Sequence, residues 1–199
     1  MNSLTKRWWI VALRGVLALL LAGCLNFVPS LLQNRLIGTF FLPAIVVSFA
    51  LYVLADGVLL LLLANWLEPG PLRRTLFWQS FATLLVAIAL LTIQLSGNDL
   101  QYNDLHFLVI LALIQSGVAG TFELLAARDL RRHLTDEYLM FATGTVSLLF
   151  CLALFLTHNG ELSRVFRWMV SYAIFFGCTM LLVSLRLRAV HRRSIAAAA

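Results

Sequence analysis

Six apolar runs, each close to 20 residues long, constrain this chain more than any other feature of its sequence. A helix needs about 20 such residues to cross the hydrocarbon core of a bilayer. Hydrophobic residues make up 61% of the 199 positions and charged residues only 12%, a composition too apolar for a soluble domain of this length. We therefore predict an all-α integral membrane protein with six transmembrane helices. The spans are expected at Trp8–Val28, Leu42–Trp66, Leu76–Ser96, His106–Ala127, Tyr138–Thr157 and Val165–Leu187.

The positive charges predict how the chain is oriented in the membrane. Of the 15 Lys and Arg residues, eleven fall on the side of the two termini, three fall on the opposite side and Arg14 lies inside the first span. Cytoplasmic loops carry an excess of Lys and Arg, so both termini are expected in the cytoplasm. The net charge of +6 is then a topology signal, and we expect no nucleic-acid partner.

Two charged residues interrupt the first two apolar runs. Arg14 is followed by Gly15, and Asp56 is followed by Gly57. A charge in a transmembrane helix is costly unless it faces protein and has a partner, and glycine lets helix backbones approach closely. The sequence therefore predicts an intramembrane ion pair between Arg14 and Asp56 that closes a hairpin of the first two spans. The alternative is an ion or proton relay, which would need a chain of ionisable groups.

Glycines recur at intervals of 60 residues in the even-numbered spans, at Gly57, Gly117 and Gly177. Tyr52 and Tyr172 each lie five positions before their glycine. This periodicity predicts three parallel two-helix repeats with approximate threefold symmetry about the membrane normal, within one integral membrane domain covering residues 1–199. The repeat units are expected at about residues 8–66, 76–127 and 138–187. Together with Gly15, the three periodic glycines are the predicted helix-packing glycines.

The charged pair occurs in the first repeat unit only. The equivalent positions are Thr83 and Ser116 in the second unit and Thr143 and Phe176 in the third. The first hairpin is therefore expected to differ from the other two in how its helices are held together.

The motifs Arg14-Gly15, Pro29 and Tyr52-x-x-x-Asp56-Gly57 resemble the HdeD-like acid-resistance membrane proteins, a family built from short two-span repeats. The resemblance is closest over Trp8–Asn65, and the later two thirds of the chain match mainly in spacing and glycines. It implies a six-span protein of a bacterial inner membrane, linked in some members to acid stress. It implies no catalytic reaction.

Three further polar residues are candidates for a pH response. Glu123 lies near the inner end of the fourth span, where an acid either snorkels to the interface or is paired. His106 and His158 lie at the outer ends of spans four and five, and histidine changes charge in the range that an acidified outer compartment would cross.

Cys24 raises one alternative for the first span. It ends the sequence Leu-Ala-Gly-Cys, which matches a lipoprotein cleavage box behind a basic start. Arg14 interrupts the apolar core that a signal peptide requires, so we expect the first span to be retained.

No phosphate-binding glycine loop, zinc-type histidine spacing or nucleophile–base arrangement occurs in the sequence. We therefore expect no enzyme: no catalytic residue, no cofactor and no metal site. The leading hypothesis is a non-enzymatic inner-membrane protein of the acid-stress response, with a structural, partner-binding or lipid-binding role. The alternative is a small transporter or channel for protons, ions or small molecules. The expected partners are the lipid bilayer and a further protein or second copy of the chain.

Overall fold

The computed structural model describes the backbone of residues 6–27, 35–95, 102–130, 137–157 and 162–196, and the side chains of a slightly narrower set. Within these ranges the chain forms six α-helices. They are α1 Trp8–Asn26, α2 Arg35–Trp66, α3 Pro71–Leu95, α4 Tyr102–Leu130, α5 Glu137–Thr157 and α6 Leu162–Ala196. All six are long and apolar enough to cross a membrane. The prediction of a six-span, all-helical membrane protein is confirmed.

Several helices are longer than the sequence predicts, and α2 and α6 are two of them. α2 begins at Arg35, before the predicted start of the second span, so Pro43 lies inside a helix and not in its first turn. A proline removes one helical hydrogen bond, which membrane helices tolerate where neighbouring groups satisfy the freed carbonyl. α6 continues beyond Leu187 to Ala196, because arginine-rich sequence is a good helix former outside the apolar region.

The most extensive helix packing does not lie within the predicted hairpins. The three closest pairs are α1–α6, α2–α3 and α4–α5, whereas the pairs α1–α2, α3–α4 and α5–α6 pack against each other over less of their length. The first and last helices thus close the bundle into a ring. The predicted first hairpin is in contact, but it is not the main packing unit of α1.

Glycines allow two of these close pairs to form. A methyl group added to Gly15 of α1 would lie 2.8 Å from the carbonyl oxygen of Gly177 on α6. In the α4–α5 pair, a methyl group on Gly120 would lie 2.9 Å from the carbonyl oxygen of Gly144. Such distances are shorter than any van der Waals contact, so only glycine permits this approach of the backbones.

The α2–α3 pair is held differently. A methyl group on Gly57 would meet the side chain of Leu84 at 2.9 Å, and the Ser80 hydroxyl donates a 2.9 Å hydrogen bond to the Gly57 carbonyl oxygen. The interface therefore packs a leucine into the space above a glycine and adds one buried polar contact.

Aromatic residues gather where α1 begins and α2 ends. The Trp9 and Trp66 rings are 6.3 Å apart, and the guanidinium of Arg7 lies 4.2 Å from the centre of the Trp66 ring. In the C-terminal part of α6, the guanidinium of Arg188 lies 4.8 Å from the centre of the Trp8 ring. These contacts place the start of α1, the end of α2 and the C-terminal part of α6 at one end of the bundle.

Candidate functional site

The ion pair anticipated from the sequence is the first element of the site. Arg14 Nε donates to Asp56 Oδ1 at 2.6 Å, and Arg14 Nη2 donates to Asp56 Oδ2 at 3.2 Å. The two residues are only 4% and 3% exposed. This bidentate geometry satisfies both carboxylate oxygens, which is the arrangement in which a buried charge pair is best tolerated.

The guanidinium of Arg14 also lies 5.7 Å from the centre of the Phe176 ring on α6. An aromatic face within about 6 Å attracts a cation. Arg14 therefore joins three helices, α1, α2 and α6, at a point next to the Gly15–Gly177 contact. Gly15, which follows Arg14, has no side chain and so lets α6 come close enough for this contact.

A second polar group is built around Ser147 of α5. Its hydroxyl oxygen lies 3.4 Å from Glu123 Oε2 on α4, 2.9 Å from the Tyr172 hydroxyl on α6 and 2.9 Å from the carbonyl oxygen of Thr143. The Tyr172 ring stacks on Phe150 with a centroid distance of 4.2 Å and an interplanar angle of 3°. Packing and hydrogen bonding thus fix the position of the Tyr172 hydroxyl.

Glu123 is the most unusual residue of this group. It is 1% exposed, and its Oε1 atom has no hydrogen-bond partner among the described residues. Glu123 interacts electrostatically with both Arg14 and Asp56. The snorkelling position considered from the sequence is excluded, since the carboxyl group points into the protein interior.

A third polar contact joins α3 and α4. Gln115 Nε2 donates to Thr83 Oγ1 at 3.3 Å, and the Gln115 Oε1 atom is buried without a partner in the described part of the chain. Each of the three less closely packed helix pairs therefore carries a polar side-chain contact: Arg14–Asp56, Gln115–Thr83 and Ser147–Tyr172.

A cavity of about 50 Å³ lies between these groups. Its polar lining comes from Tyr52, Asp56, Gln115, Ser116 and Tyr172, and the rest is apolar. A volume of this size holds a few water molecules, whereas sites for drug-sized ligands measure roughly 300–1,000 Å³. This cavity therefore has room for water but not for larger solutes.

The predicted packing glycines occupy different surroundings. Gly15 and Gly177 lie against each other's backbone, and Gly57 lies against side chains of α3. Gly117 is less crowded, because an added methyl group would meet only the Cys151 sulfur, at 3.2 Å. Gly120, one turn further along α4, makes the backbone contact in that pair.

The two histidine candidates cannot be placed in the site. His158 and the side chain of His106 lie outside the described residues. Among the residues that the structure describes, no group of three His, Cys, Asp or Glu side chains is arranged to hold a metal ion.

Sequence reasoning missed the roles of Ser147 and Tyr172. The five-residue offset of Tyr172 from Gly177 mirrors that of Tyr52 from Gly57, which places both tyrosines on the inner side of their helices. Ser147 carried no signal of its own, because serine is common in membrane helices and its partner lies on another helix.

Comparisons of the chain with protein-family models, with curated proteins and with solved structures found no match.

Proposed function

We propose that this multi-pass membrane protein is a non-enzymatic component of the acid-stress response in a bacterial inner membrane, with both termini in the cytoplasm. It acts by holding lipid or a partner protein and not by catalysis. The observation that carries this proposal is a buried cluster of three ionisable groups, Arg14, Asp56 and Glu123, whose total charge depends on proton uptake.

The charges in the cluster balance only with a proton. One guanidinium faces two carboxyl groups, so the interior is neutral when one of the carboxyl groups is protonated. Buried charges are tolerated when they are paired. Because Asp56 makes both bonds to Arg14, Glu123 is the carboxyl group that accommodates the proton.

The hydrogen bonds around Ser147 support the same assignment. A serine hydroxyl has one proton to donate and two lone pairs to accept with. With a protonated Glu123 all three contacts can be satisfied at once, because the serine hydroxyl then donates to the Thr143 carbonyl oxygen and accepts from the Tyr172 hydroxyl and from Glu123. With an ionised Glu123, the single serine proton would be shared between two acceptors.

The ion pair is the part of this cluster on which the arrangement of the helices depends. Loss of the Asp56 charge would leave Arg14 without its counter-charge in the interior. Removing one partner of a buried ion pair costs about 3–5 kcal/mol, enough to change how the helices α1, α2 and α6 are held together. The resemblance to the HdeD-like family points to acid as the stress.

We propose also that the bundle consists of three two-helix repeats related by approximate threefold symmetry. Thr83 and Thr143 occupy the positions equivalent to Arg14, and both are buried. The positions equivalent to Asp56 are buried as well. The alternation of close and less close helix pairs around the ring supports the same arrangement. The α4–α5 pair departs from it, since Gly120 replaces Gly117 at the close contact.

Survival of bacteria after a shift to acid medium tests the stress role. Cells that produce the native chain should survive better than cells without it, and Asp56→Asn should abolish this gain because it removes the counter-charge of Arg14. Glu68→Gln is the matched control, since Glu68 is an exposed acid outside the cluster. Membrane levels of each variant are measured in parallel. Equal survival with and without the native chain would refute the proposal.

A second candidate, proton transport, is favoured by the buried Glu123 Oε1 atom, which has no hydrogen-bond partner among the described residues. Tyr172, which contacts the same Ser147 hydroxyl as Glu123, lines a cavity large enough for water. Proteoliposomes that contain a pH-sensitive dye and an imposed pH gradient distinguish the two. The non-transporting protein should give no flux above that of empty liposomes. Proton flux that disappears in Glu123→Gln and Asp56→Asn but persists in Glu68→Gln would instead establish transport.

A further inference from the structure

A groove of about 1260 Å³ lies on the surface of the bundle between the start of α3 and the end of α4. Three arginines line it: Arg73 and Arg74 on the first turn of α3, and Arg128 on the last turns of α4. Arg73 is half-buried, and the other two are exposed. No acid is among the described residues that line the groove, so its lining carries a net positive charge.

The remaining wall of the groove is apolar. Phe77, Trp78 and Leu125 line it, and all three side chains are exposed in the described structure. The groove thus combines a positive end with an apolar, partly aromatic wall. Tryptophan is typical of the membrane–water interface, where an apolar ring meets polar head groups.

A second groove of about 640 Å³ lies on the other side of α4, against α5. It is lined by Tyr138 and Phe141, and it shares Leu125 and Arg128 with the first groove. The two grooves therefore lie on opposite sides of α4 and share Leu125 and Arg128 in their linings.

The position of these grooves matches a bilayer interface. α3 begins at Pro71, shortly after α2 ends at Trp66, whose ring contacts Trp9 and Arg7 at the start of α1. The arginines therefore lie at the end of the bundle where aromatic and basic residues gather, and the apolar walls continue toward its middle. The amide groups in the first turn of α3 add a partial positive charge.

We propose that the two grooves bind one anionic phospholipid. Arg73, Arg74 and Arg128 bind its phosphate group, and its two acyl chains lie on either side of the α4 ridge at Leu125. Basic pockets between membrane helices at the cytoplasmic side recognise anionic head groups in this way. The inference rests on the lipid-binding part of the proposed function and does not depend on the acid response.

Native mass spectrometry of the purified chain in a neutral detergent tests the site. The protein is titrated with phosphatidylglycerol and with phosphatidylcholine that carries the same acyl chains. The native chain should retain phosphatidylglycerol preferentially. Each arginine near an anionic head group strengthens binding about fivefold, so Arg73→Gln/Arg74→Gln should lower the preference by roughly 25-fold. Arg128→Gln should lower it by about fivefold.

The matched control is Arg192→Gln/Arg193→Gln, which removes two adjacent exposed arginines from α6. It should leave the preference unchanged, because neither residue lines either groove. An equal loss in both double variants would show a general effect of charge and overturn the site. An unchanged preference in the α3 variant would also overturn it.

Inorganic phosphate separates a lipid site from a free-anion site. It should not displace phosphatidylglycerol at millimolar concentration, because it lacks the acyl chains that fill the apolar grooves. Displacement by phosphate would contradict the lipid assignment. The acid-survival assay uses different variants, so failure of the lipid site and failure of the stress role are separately visible.

Discussion

The two kinds of helix interface in this bundle are stabilised in different ways. In the close pairs α1–α6 and α4–α5, glycine backbones touch, and dispersion forces between tightly packed atoms hold the helices together. In the less close pair α1–α2, an ion pair spans the gap, and neutral hydrogen bonds span α3–α4 and α5–α6. In lipid the hydrophobic effect does not drive helices together, so shape and polar contacts decide which helices associate.

The difference also assigns separate roles to the two kinds of contact. Glycine contacts contain no ionisable group, whereas the Arg14–Asp56 pair and the Glu123–Ser147 contact between α4 and α5 contain one or more. We therefore expect substitutions at the glycine contacts to change stability at every pH. Substitutions at the polar contacts should change both stability and the response to acid.

The largest effect is expected from Asp56→Ala. It leaves the Arg14 guanidinium unpaired in the interior, and the free energy of unfolding should fall by about 3–5 kcal/mol. Unfolding of the purified protein in mixed micelles, followed by circular dichroism as the denaturing detergent is increased, measures this loss.

The double variant Arg14→Met/Asp56→Leu is the control for that result. Apolar side chains of similar volume remove both charges at once, and a buried ion pair replaced in this way is often neutral or even stabilising. The double variant should thus be more stable than Asp56→Ala alone. If the two variants are equally unstable, packing and not the unpaired charge is responsible.

The second largest effect is expected from Gly120→Ala in the α4–α5 pair. The new methyl group would lie 2.9 Å from the backbone of Gly144 and Leu148, which cannot move without separating the helices. Overpacking of this kind costs roughly 1–3 kcal/mol. The same detergent titration measures it.

Two other glycines serve as controls for Gly120→Ala. Gly23→Ala should not lower stability, because nothing lies within 4 Å of the new methyl group and alanine is the better helix former. Gly117→Ala should lie between the two, since only the Cys151 sulfur is close. If Gly117→Ala is the more damaging of the two α4 substitutions, the close contact in α4–α5 has been assigned to the wrong turn.

The glycines show how much the sequence could reveal. The six spans and the pairing of Arg14 with Asp56 follow from local signals, since an apolar run and a buried charge each have few alternatives in a membrane. Which helices pack closest does not follow, because it depends on the rotation of each helix about its axis. The 60-residue spacing points to Gly117, whereas a shift of one turn brings Gly120 into contact.

The same limit explains the Glu123 group. Its sequence position suggested a residue near the inner end of a span, and the rotation of α4 turns it toward Ser147 on α5. A single sequence carries no information on that rotation when the hydrophobic residues surround the helix on all sides.

A smaller effect is expected from Glu123→Gln. Comparing it with Asp56→Asn shows whether the two acids of the cluster contribute differently to stability. Glutamine has nearly the shape of a protonated glutamate, so it keeps the interior neutral. The free energy of unfolding should change by about 1 kcal/mol or less, the size of one neutral hydrogen bond. The measurement is the same titration, with Asp56→Asn for comparison. A loss as large as that of Asp56→Asn would show that Glu123 is ionised and essential to the pair.

The smallest effect is expected from Tyr172→Phe. The substitution keeps the ring stacked on Phe150 and removes only the hydroxyl that contacts Ser147. Hydrogen bonds between membrane helices contribute about 0.6 kcal/mol on average, so the coupling between Tyr172→Phe and Ser147→Ala in a double-mutant cycle should be near this value. The same cycle for Arg14 and Asp56 should give a coupling several times larger. Equal couplings would mean that a neutral bond and an ion pair hold their helices equally well. The first hairpin would then differ from the third in charge but not in strength.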